Sequence, residues 1–134
     1  MIDNKTMLEL DDDAAHIKIG GEWRMPSRSE WQELLNNCDL MMSSSDGIAG
    51  FKAVGKISGY TDRMIFLPSG GYCSDSSVIC DGIYCYYWSS SSCAETNSSI
   101  PFYAEVWYSS AYGRTYMSDF ERDSGCLIRP VISK

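Results

Sequence analysis

The stretch that decides the fold is Gly82-Ile83-Tyr84-Cys85-Tyr86-Tyr87-Trp88-Ser89-Ser90-Ser91. Aromatic residues favour strands because they pack well on a pleated surface. Around it, eight of the nine tyrosines and five of the six cysteines lie between Gly71 and Ile128. Tyrosine gives a large rigid contact surface, and serine gives adaptable hydrogen bonds, as in antibody loops. The composition predicts either a binding surface or a β-region whose strands simply favour tyrosine.

A helix upstream of this stretch is indicated by a capping box and an apolar stripe. In Ser27-Arg28-Ser29-Glu30, the Ser27 hydroxyl can accept from the third helical amide while Glu30 reaches back. Behind it, apolar residues recur at i, i+3, i+4 and i+7. These residues are Trp31, Leu34, Leu35 and Cys38. We expect the stripe to be core and assign Trp31 no functional role.

The remaining pattern predicts an α+β domain. Acidic residues before Ala14 favour a short helix over residues 11–17, which Gly20-Gly21 would end. Strands are predicted over 48–54, 64–67, 86–91, 103–109, 114–116 and 126–132, with long loops over 70–83 and 91–102. Within the strand over 103–109, Glu105 and Trp107 share one face and Tyr108 lies on the other. Two short helices followed by a twisted antiparallel sheet make this class of fold.

Charge and hydropathy exclude two classes of partner. The formal net charge is −7 and the pI is about 4.5, which disfavours nucleic acid and anionic lipid because both select basic surfaces. No apolar run approaches the ~18 residues that cross a bilayer, so we expect no membrane insertion. Polar Asp3 follows Met1-Ile2, so we expect no signal peptide in the given chain. The acidic run that ends at Asp13 is expected to be a solvated helix start rather than a metal site.

The cysteines leave their redox state open. Cys73, Cys80, Cys85 and Cys93 lie in one loop-rich region, where one or two disulfides or free thiols are both plausible. No C-x-x-C occurs, and His16 is the only histidine, so zinc has little support. We expect no cofactor and no metal.

Seven motifs in order resemble a known group of proteins. The motifs are Asp12-Asp13-Ala14-Ala15-His16, Gly20-Gly21-x-Trp23-Arg24-Met25-Pro26-Ser27, Glu30-Trp31-x-Glu33-Leu34, Asn36-Asn37-Cys38, Ile65-Phe66-Leu67-Pro68-x-Gly70-Gly71-Tyr72, Tyr87-Trp88-Ser89-Ser90-Ser91 and Arg122-x-x-Gly125-x-x-Ile128-Arg129-Pro130-Val131. Together they resemble the major paralogous domain proteins of gut bacteria. They also resemble the variable proteins of diversity-generating retroelements, with a C-type lectin-like fold of the formylglycine-generating-enzyme type.

The resemblance covers the whole chain and implies one ligand-binding domain over residues 1–134. Family members usually carry a strand upstream of the Asp12-Asp13 element, and this chain begins without it. We therefore expect the C-terminal strand around residues 127–132 to lack its partner and to invite self-association. The resemblance further implies a framework role for Trp23, Pro26, Trp88, Ser89, Arg129 and Pro130. It makes the segment from Glu105 to Asp123 the most diverse surface.

Neither an enzyme nor a calcium lectin is favoured. No G-x-S-x-G occurs, and the lone His16 lies beside a framework motif. Calcium-dependent lectins carry a Glu-Pro-Asn or Gln-Pro-Asp triplet, whereas Pro101 is flanked here by Ile100 and Phe102. Sugar binding without calcium, through Trp107 and tyrosines, stays open.

The favoured hypothesis is a non-catalytic recognition domain for a protein or glycan partner, at the cell surface, secreted or on a phage particle. The alternative is a structural module of a cell-surface or fimbria-like assembly. The aromatic side chains would act as anchors and Arg114 as a charge-assisted donor. We expect Tyr112, Tyr116 and Phe120 to lie on one surface with Trp107. The predicted ligand-binding residues are Tyr84, Tyr86, Glu105, Trp107, Tyr112, Arg114, Tyr116, Phe120 and Asp123.

The resemblance carries a codon rule. Retroelement variation acts at adenines, typically in AAC or AAT codons, which keep their final pyrimidine and cannot become Trp, Met or Glu. Four positions would then be fixed: Glu105, Trp107, Met117 and Glu121. Eight positions would be free to vary: Tyr112, Arg114, Tyr116, Ser118, Asp119, Phe120, Asp123 and Ser124.

Overall fold

A computed structural model describes residues 7–79, 84–92, 103–110, 115–121 and 125–132. A 3₁₀ turn, Leu10–Asp12, precedes the two helices α1 (Ala14–Ile19) and α2 (Arg28–Asn37). The described strands are β1 (Trp23–Arg24), β2 (Cys38–Ser45), β3 (Ile48–Gly55), β4 (Met64–Pro68), β5 (Tyr72–Ser74), β6 (Ser77–Ile79), β7 (Tyr84–Ser92), β8 (Tyr103–Ser110), β9 (Thr115–Glu121) and β10 (Val131–Ile132).

The strands form small antiparallel sheets rather than one sheet. Two sheets have three strands, in the orders β2-β3-β4 and β7-β8-β9, and two are pairs, β1-β10 and β5-β6. All of these pairings are antiparallel. The α+β class is therefore confirmed.

The core lies between α2 and the two three-stranded sheets. Its buried members are Trp31, Phe51, Leu67, Cys85 and Tyr87. The Trp31 and Tyr87 rings lie 5.7 Å apart between centroids. The Tyr87 hydroxyl donates to the Pro68 carbonyl at 2.9 Å, which links β7 to the end of β4. The predicted apolar stripe of α2 is core, as expected for Trp31.

The serines that end β7 hold the start of α2. The Ser90 amide donates to the Pro26 carbonyl at 2.9 Å, and the Arg28 amide, at the first turn of α2, donates to the Ser91 hydroxyl at 3.0 Å. The first four amides of a helix lack intrahelical partners, so such an acceptor stabilises the helix start. The Trp31 indole then donates to the Trp88 carbonyl at 3.3 Å. These contacts give the Trp88-Ser89-Ser90-Ser91 run a structural role in holding α2.

Asp13 organises the region before α2, contrary to the expectation of a solvated acidic run. Its side chain is buried, with 2% exposure. One carboxylate oxygen accepts from the amides of Ala15 and His16 at the start of α1. The other oxygen accepts from the Met25 amide at 2.8 Å. Asp13 therefore caps α1 and fixes the chain twelve residues later, whereas Asp11 and Asp12 are exposed.

The capping box predicted for α2 is present. The Ser27 hydroxyl accepts from the Glu30 amide, and the Glu30 carboxylate accepts from the Ser27 amide. Glu30 also receives two hydrogen bonds from the Arg24 guanidinium, at 2.8 and 2.5 Å. This paired hydrogen bonding from Arg24 is the main reason that the pKa of Glu30 falls to about 2.

Several boundaries differ from the sequence prediction. Cys38 ends the apolar stripe but begins β2, a strand that was not predicted. The predicted loop over 70–83 contains the β5-β6 hairpin. The strand predicted over 114–116 is longer, since β9 reaches Glu121.

The expectation of an unpaired C-terminal strand is wrong. Val131 pairs with Arg24, and Ile132 pairs with Trp23, in the β1-β10 ladder. Leu127 forms a parallel bridge with Tyr87, and its amide donates to the Tyr86 carbonyl at 2.9 Å. The C-terminal strand therefore has a strand partner from the early part of the chain, which removes the stated reason for self-association.

We predict a pH-dependent contribution of Glu30 to stability. Because its folded pKa lies below the ordinary 4.5, the contribution is complete above about pH 4.5 and is lost as the pH falls towards 2. The pair is partly exposed, so Glu30→Gln should lower the free energy of unfolding at pH 7 by only about 0.5–1 kcal/mol.

Denaturant unfolding at pH 7 and near pH 2 measures this difference. Glu33→Gln, an exposed position on the same helix, is the matched control and should show no such pH dependence. An equal loss for Glu30→Gln at both pH values would contradict the prediction.

Candidate functional site

The outward side of β7 carries a cluster of tyrosine rings. Tyr84 and Tyr86 alternate with buried Cys85 and Tyr87, so they lie on the opposite side of the strand. The Tyr86 ring lies 5.0 Å from the Tyr72 ring in an edge-to-face arrangement, and 6.3 Å from the Tyr84 ring. All three are half-buried. Edge-to-face packing orients the rings against one another and restricts their motion.

The ladder extends this side across β8 and β9. Tyr86 is opposite Tyr108, and Tyr108 is opposite Tyr116. Directly opposite residues of an antiparallel pair share a face. We call this side the outer face, with described rings Tyr72, Tyr84 and Tyr86. Its other register positions include Tyr108, Tyr116, Val106, Ser118, Ala104 and Phe120.

The remaining positions of β8 and β9 belong to the inner face, on the side of Tyr87. Tyr87 is opposite Trp107, and Trp107 is opposite Met117. Glu105, two residues before Trp107, is opposite Asp119 on the same face. Helix α2 lies against β7, β8 and β9, and the Trp31–Tyr87 contact places it on this inner side.

The predicted ligand-binding set is therefore divided between two faces. Tyr84 and Tyr86 lie outward, and Tyr116 and Phe120 take outer register positions. Glu105 and Trp107 take inner positions, which corrects the expectation that Trp107 shares one surface with Tyr116 and Phe120. The physical reason is the period of two, which separates Trp107 from Tyr108. Three predicted residues lie outside the described residues: Tyr112, Arg114 and Asp123.

Two outer-face tyrosines were missed by the sequence prediction. Tyr108 follows Trp107 in the sequence, and the alternation of side chains in β8 already predicted that the two lie on opposite faces. The choice between them required the pairing with β7, which local sequence does not give. Tyr72 lies in a segment predicted as loop, and its contact with Tyr86 joins residues fourteen apart. The Gly71 amide donates to the Tyr84 carbonyl at 2.9 Å, and this parallel bridge to β7 holds Tyr72 beside Tyr86.

Three of the four described thiols have raised pKa values. Cys85 is fully buried and contacts the Ser69 hydroxyl at 3.2 Å, and burial raises its pKa to about 11. Burial likewise raises the pKa of Cys126 to about 12 and, to a smaller extent, that of Cys38. A nucleophilic thiol needs a lowered pKa, so these three stay protonated at neutral pH. Cys73 and Cys85 are unpaired in the structure, whereas Cys80 and Cys93 lie outside the described residues.

Over the described ranges of the chain, no three His, Cys, Asp or Glu side chains are grouped so as to hold a metal ion. An open groove of about 1030 Å³ lies between the end of α2, β3 and β4. At its rim, the Arg63 guanidinium lies 5.4 Å from the Tyr60 ring centroid, a cation–π distance. None of the predicted site residues that the structure describes lines this groove.

Comparisons with known proteins add no assignment. No family model, no curated protein and no solved structure matches the chain. Among the helices of the described residues, none has the length and apolar character to cross a membrane.

We predict losses of stability of different size for alanine substitutions at two adjacent tyrosines. Tyr87→Ala should lower the free energy of unfolding by roughly 3–5 kcal/mol, because Tyr87 is 3% exposed and packs on Trp31. Tyr86→Ala should cost about 1 kcal/mol, since it removes mainly the contact with Tyr72.

Thermal and denaturant unfolding of both variants gives the comparison. Tyr87→Phe is the control for the hydroxyl alone and should cost about 1 kcal/mol. Equal large losses for Tyr86→Ala and Tyr87→Ala would show that Tyr86 belongs to the core.

Proposed function

We propose that the chain is a non-catalytic recognition domain with a C-type lectin-like fold, whose outer face contacts a protein or a glycan. Such a domain would act at a cell surface, as a secreted protein or on a phage particle. Two helices with antiparallel strands are compatible with that fold, and the seven ordered motifs favour it. The described part of the proposed binding surface is Tyr72, Tyr84 and Tyr86.

One observation carries the proposal: the codon rule and the strand register divide the residues in nearly the same way. The four codon-fixed positions, Glu105, Trp107, Met117 and Glu121, all take inner positions. Three of the four codon-variable positions in β9, Tyr116, Ser118 and Phe120, take outer positions. Asp119 is the exception. The codon rule uses no structural information, so the agreement supports variation confined to an outward binding face.

The chemistry of the outer face suits recognition. A tyrosine ring gives a flat apolar surface for aliphatic side chains or sugar rings, and its hydroxyl adds a hydrogen bond. The contact between Tyr72 and Tyr86 holds both rings before a partner arrives, which reduces the entropy lost on binding. Serine at outer position 118 would allow close approach of a partner.

The polar residues that a catalyst would need have structural uses here. The lone histidine, His16, holds its ring nitrogen Nδ1 3.2 Å from the Trp23 carbonyl. Asp13 is saturated by three backbone amides. The buried Cys85 thiol has a raised pKa. These assignments favour recognition over catalysis.

The alternative is a structural module of a cell-surface assembly, in which the same tyrosines bury against another subunit. The two functions differ in what they require of the outer face. A subunit interface needs particular side chains, whereas a variable binding surface tolerates many. Tolerance to substitution therefore separates them.

The gene provides the first test. We expect a nearby, nearly identical repeat whose mismatches occur only at adenines, with the encoded differences at outer positions such as 116, 118 and 120. Differences spread equally over Trp107, Met117 and Glu121 would contradict the proposal.

Two matched display libraries provide the second test. One library randomises the outer positions Tyr116, Ser118 and Phe120 of β9. The other randomises the inner positions Trp107 of β8 and Met117 of β9. Most outer-library members should keep their stability within about 0.5 kcal/mol, as at ordinary surface sites. Inner-library members should lose roughly 3–5 kcal/mol, as for core truncations. Protease resistance on the display particle reports both.

Binding is tested on arrays of glycans and of cell-surface proteins. For any array ligand that binds, Tyr86→Ala should cost on the order of 2 kcal/mol of affinity, the value for a hot-spot aromatic residue. Arg63→Ala, at the rim of the separate groove, is the control and should leave that affinity unchanged. The proposed function would be overturned by two results together: equal losses of stability in the outer and inner libraries, and an affinity that Tyr86→Ala does not change.

A further inference from the structure

Strand β2 is an edge strand of its sheet in the part of the chain that the structure describes. Within the described residues, β2 pairs on one side only, with β3, and the register is unbroken from Cys38 to Ser45. Such an edge leaves a row of backbone donors and acceptors without strand partners. Eight residues is long for an edge, since natural proteins keep exposed edges short.

The usual protective devices are missing from β2. It contains no proline, no lysine and no bulge, and its one charged residue is Asp39 near the start. The side chains of Met41 and Met42 are 51% and 58% exposed. A long, regular edge with exposed apolar side chains is an efficient template for another strand.

We propose that β2 pairs with β2 of a second copy of this chain, antiparallel about a two-fold axis, to form a six-stranded sheet. A strand related to itself by a two-fold axis is complementary to itself, because the same row of groups is presented by both copies. Side chains of paired residues must share a face, so the axis passes at a residue rather than between two residues. Pairing over most of the strand then places the axis at its centre, at Met41 or at Met42. In both registers Asp39 lies opposite a serine, Ser43 or Ser45, and not opposite the other Asp39.

Local charge favours a second copy at this edge despite the net charge of −7. The charged residues of β2, of β3 and of the turns next to them sum to zero: Asp39, Asp46, Lys52, Lys56, Asp62 and Arg63. Two of the five lysines of the chain lie here, and Lys52 is directly opposite Met41. Two copies therefore meet without the repulsion that acts over the rest of the acidic surface.

The side of the sheet that carries Met41 would become continuous across the axis. Phe66 is opposite Lys52, and its ring lies across Gly50, where an added Cβ would come within 2.5 Å of the ring. Met64 is 62% exposed on the same side. Pairing of single edges buries less than the ~800 Å² per partner of a stable complex. The dimer is therefore reversible and concentration-dependent. It uses a different sheet from the outer face, so it does not rest on the proposed function.

The test is sedimentation velocity of the full chain in reducing buffer over a wide concentration range. Met41→Lys places two like charges at or beside the axis and should weaken dimerisation at least about tenfold, which corresponds to about 1.4 kcal/mol. Met64→Lys, at an exposed position on the other edge strand of the same sheet, should change it by less than about threefold. A monomeric wild type, or equal effects of both variants, would overturn the proposal.

Hydrogen exchange of the wild type gives an outcome that needs no variant. Amides of residues 39–45 should become more protected as concentration rises, while amides of β4 should not change. A dimer in which β2 protection is independent of concentration would place the interface elsewhere and overturn the proposal.

Discussion

The structure depends on the burial of Tyr87 between α2 and the end of β4. Its ring packs 5.7 Å from Trp31, and its hydroxyl donates to the Pro68 carbonyl. Burial raises the pKa of this hydroxyl, so it stays protonated and remains a donor well above neutral pH. The next residue, Trp88, fixes the late segment of the chain beside β7, because its amide donates to the Leu127 carbonyl at 2.9 Å. Once Tyr87 is fixed inward, the period of two places Tyr86 outward.

Local chemistry made α2 and much of β7 predictable from the sequence. The capping box at Ser27 and the stripe through Trp31 depend on residues within one or two turns of each other. Strand β2 was missed because Cys38 continues the helical stripe and the residues after Met41 do not alternate in polarity. The part of the site that failed, the placement of Trp107, depends on which residue of β7 it faces. That register is set by long-range pairing, and no local pattern contains it.

The serine-rich composition illustrates why composition alone could not locate the surface. Ser89 and Ser90 are buried, and Ser91 accepts from the first amide of α2. These serines are buried or bind the start of α2, whereas serines in binding loops are exposed to a partner. Charge was no better a guide to exposure. Asp13 belongs to an acidic run, yet its side chain is buried and accepts hydrogen bonds from three backbone amides. Ser90, Ser91 and Asp13 each have a partner at least twelve residues away in the sequence. The sequence therefore predicted the residue type but not its role.

A helix packed on one side of a sheet separates stability from recognition. Neighbouring residues of a strand point to opposite sides, so a change at Tyr86 leaves the Tyr87 contact with Trp31 in place. Variation on the outer face then costs little folding free energy, whereas variation on the inner face opens cavities beside α2. The codon-fixed positions coincide with the inner register, as expected if a mechanism of variation and a folded scaffold constrain the same strands. Under the proposed function, such a domain changes its partner through substitutions on the outer face, while Tyr87 and the residues around it stay unchanged.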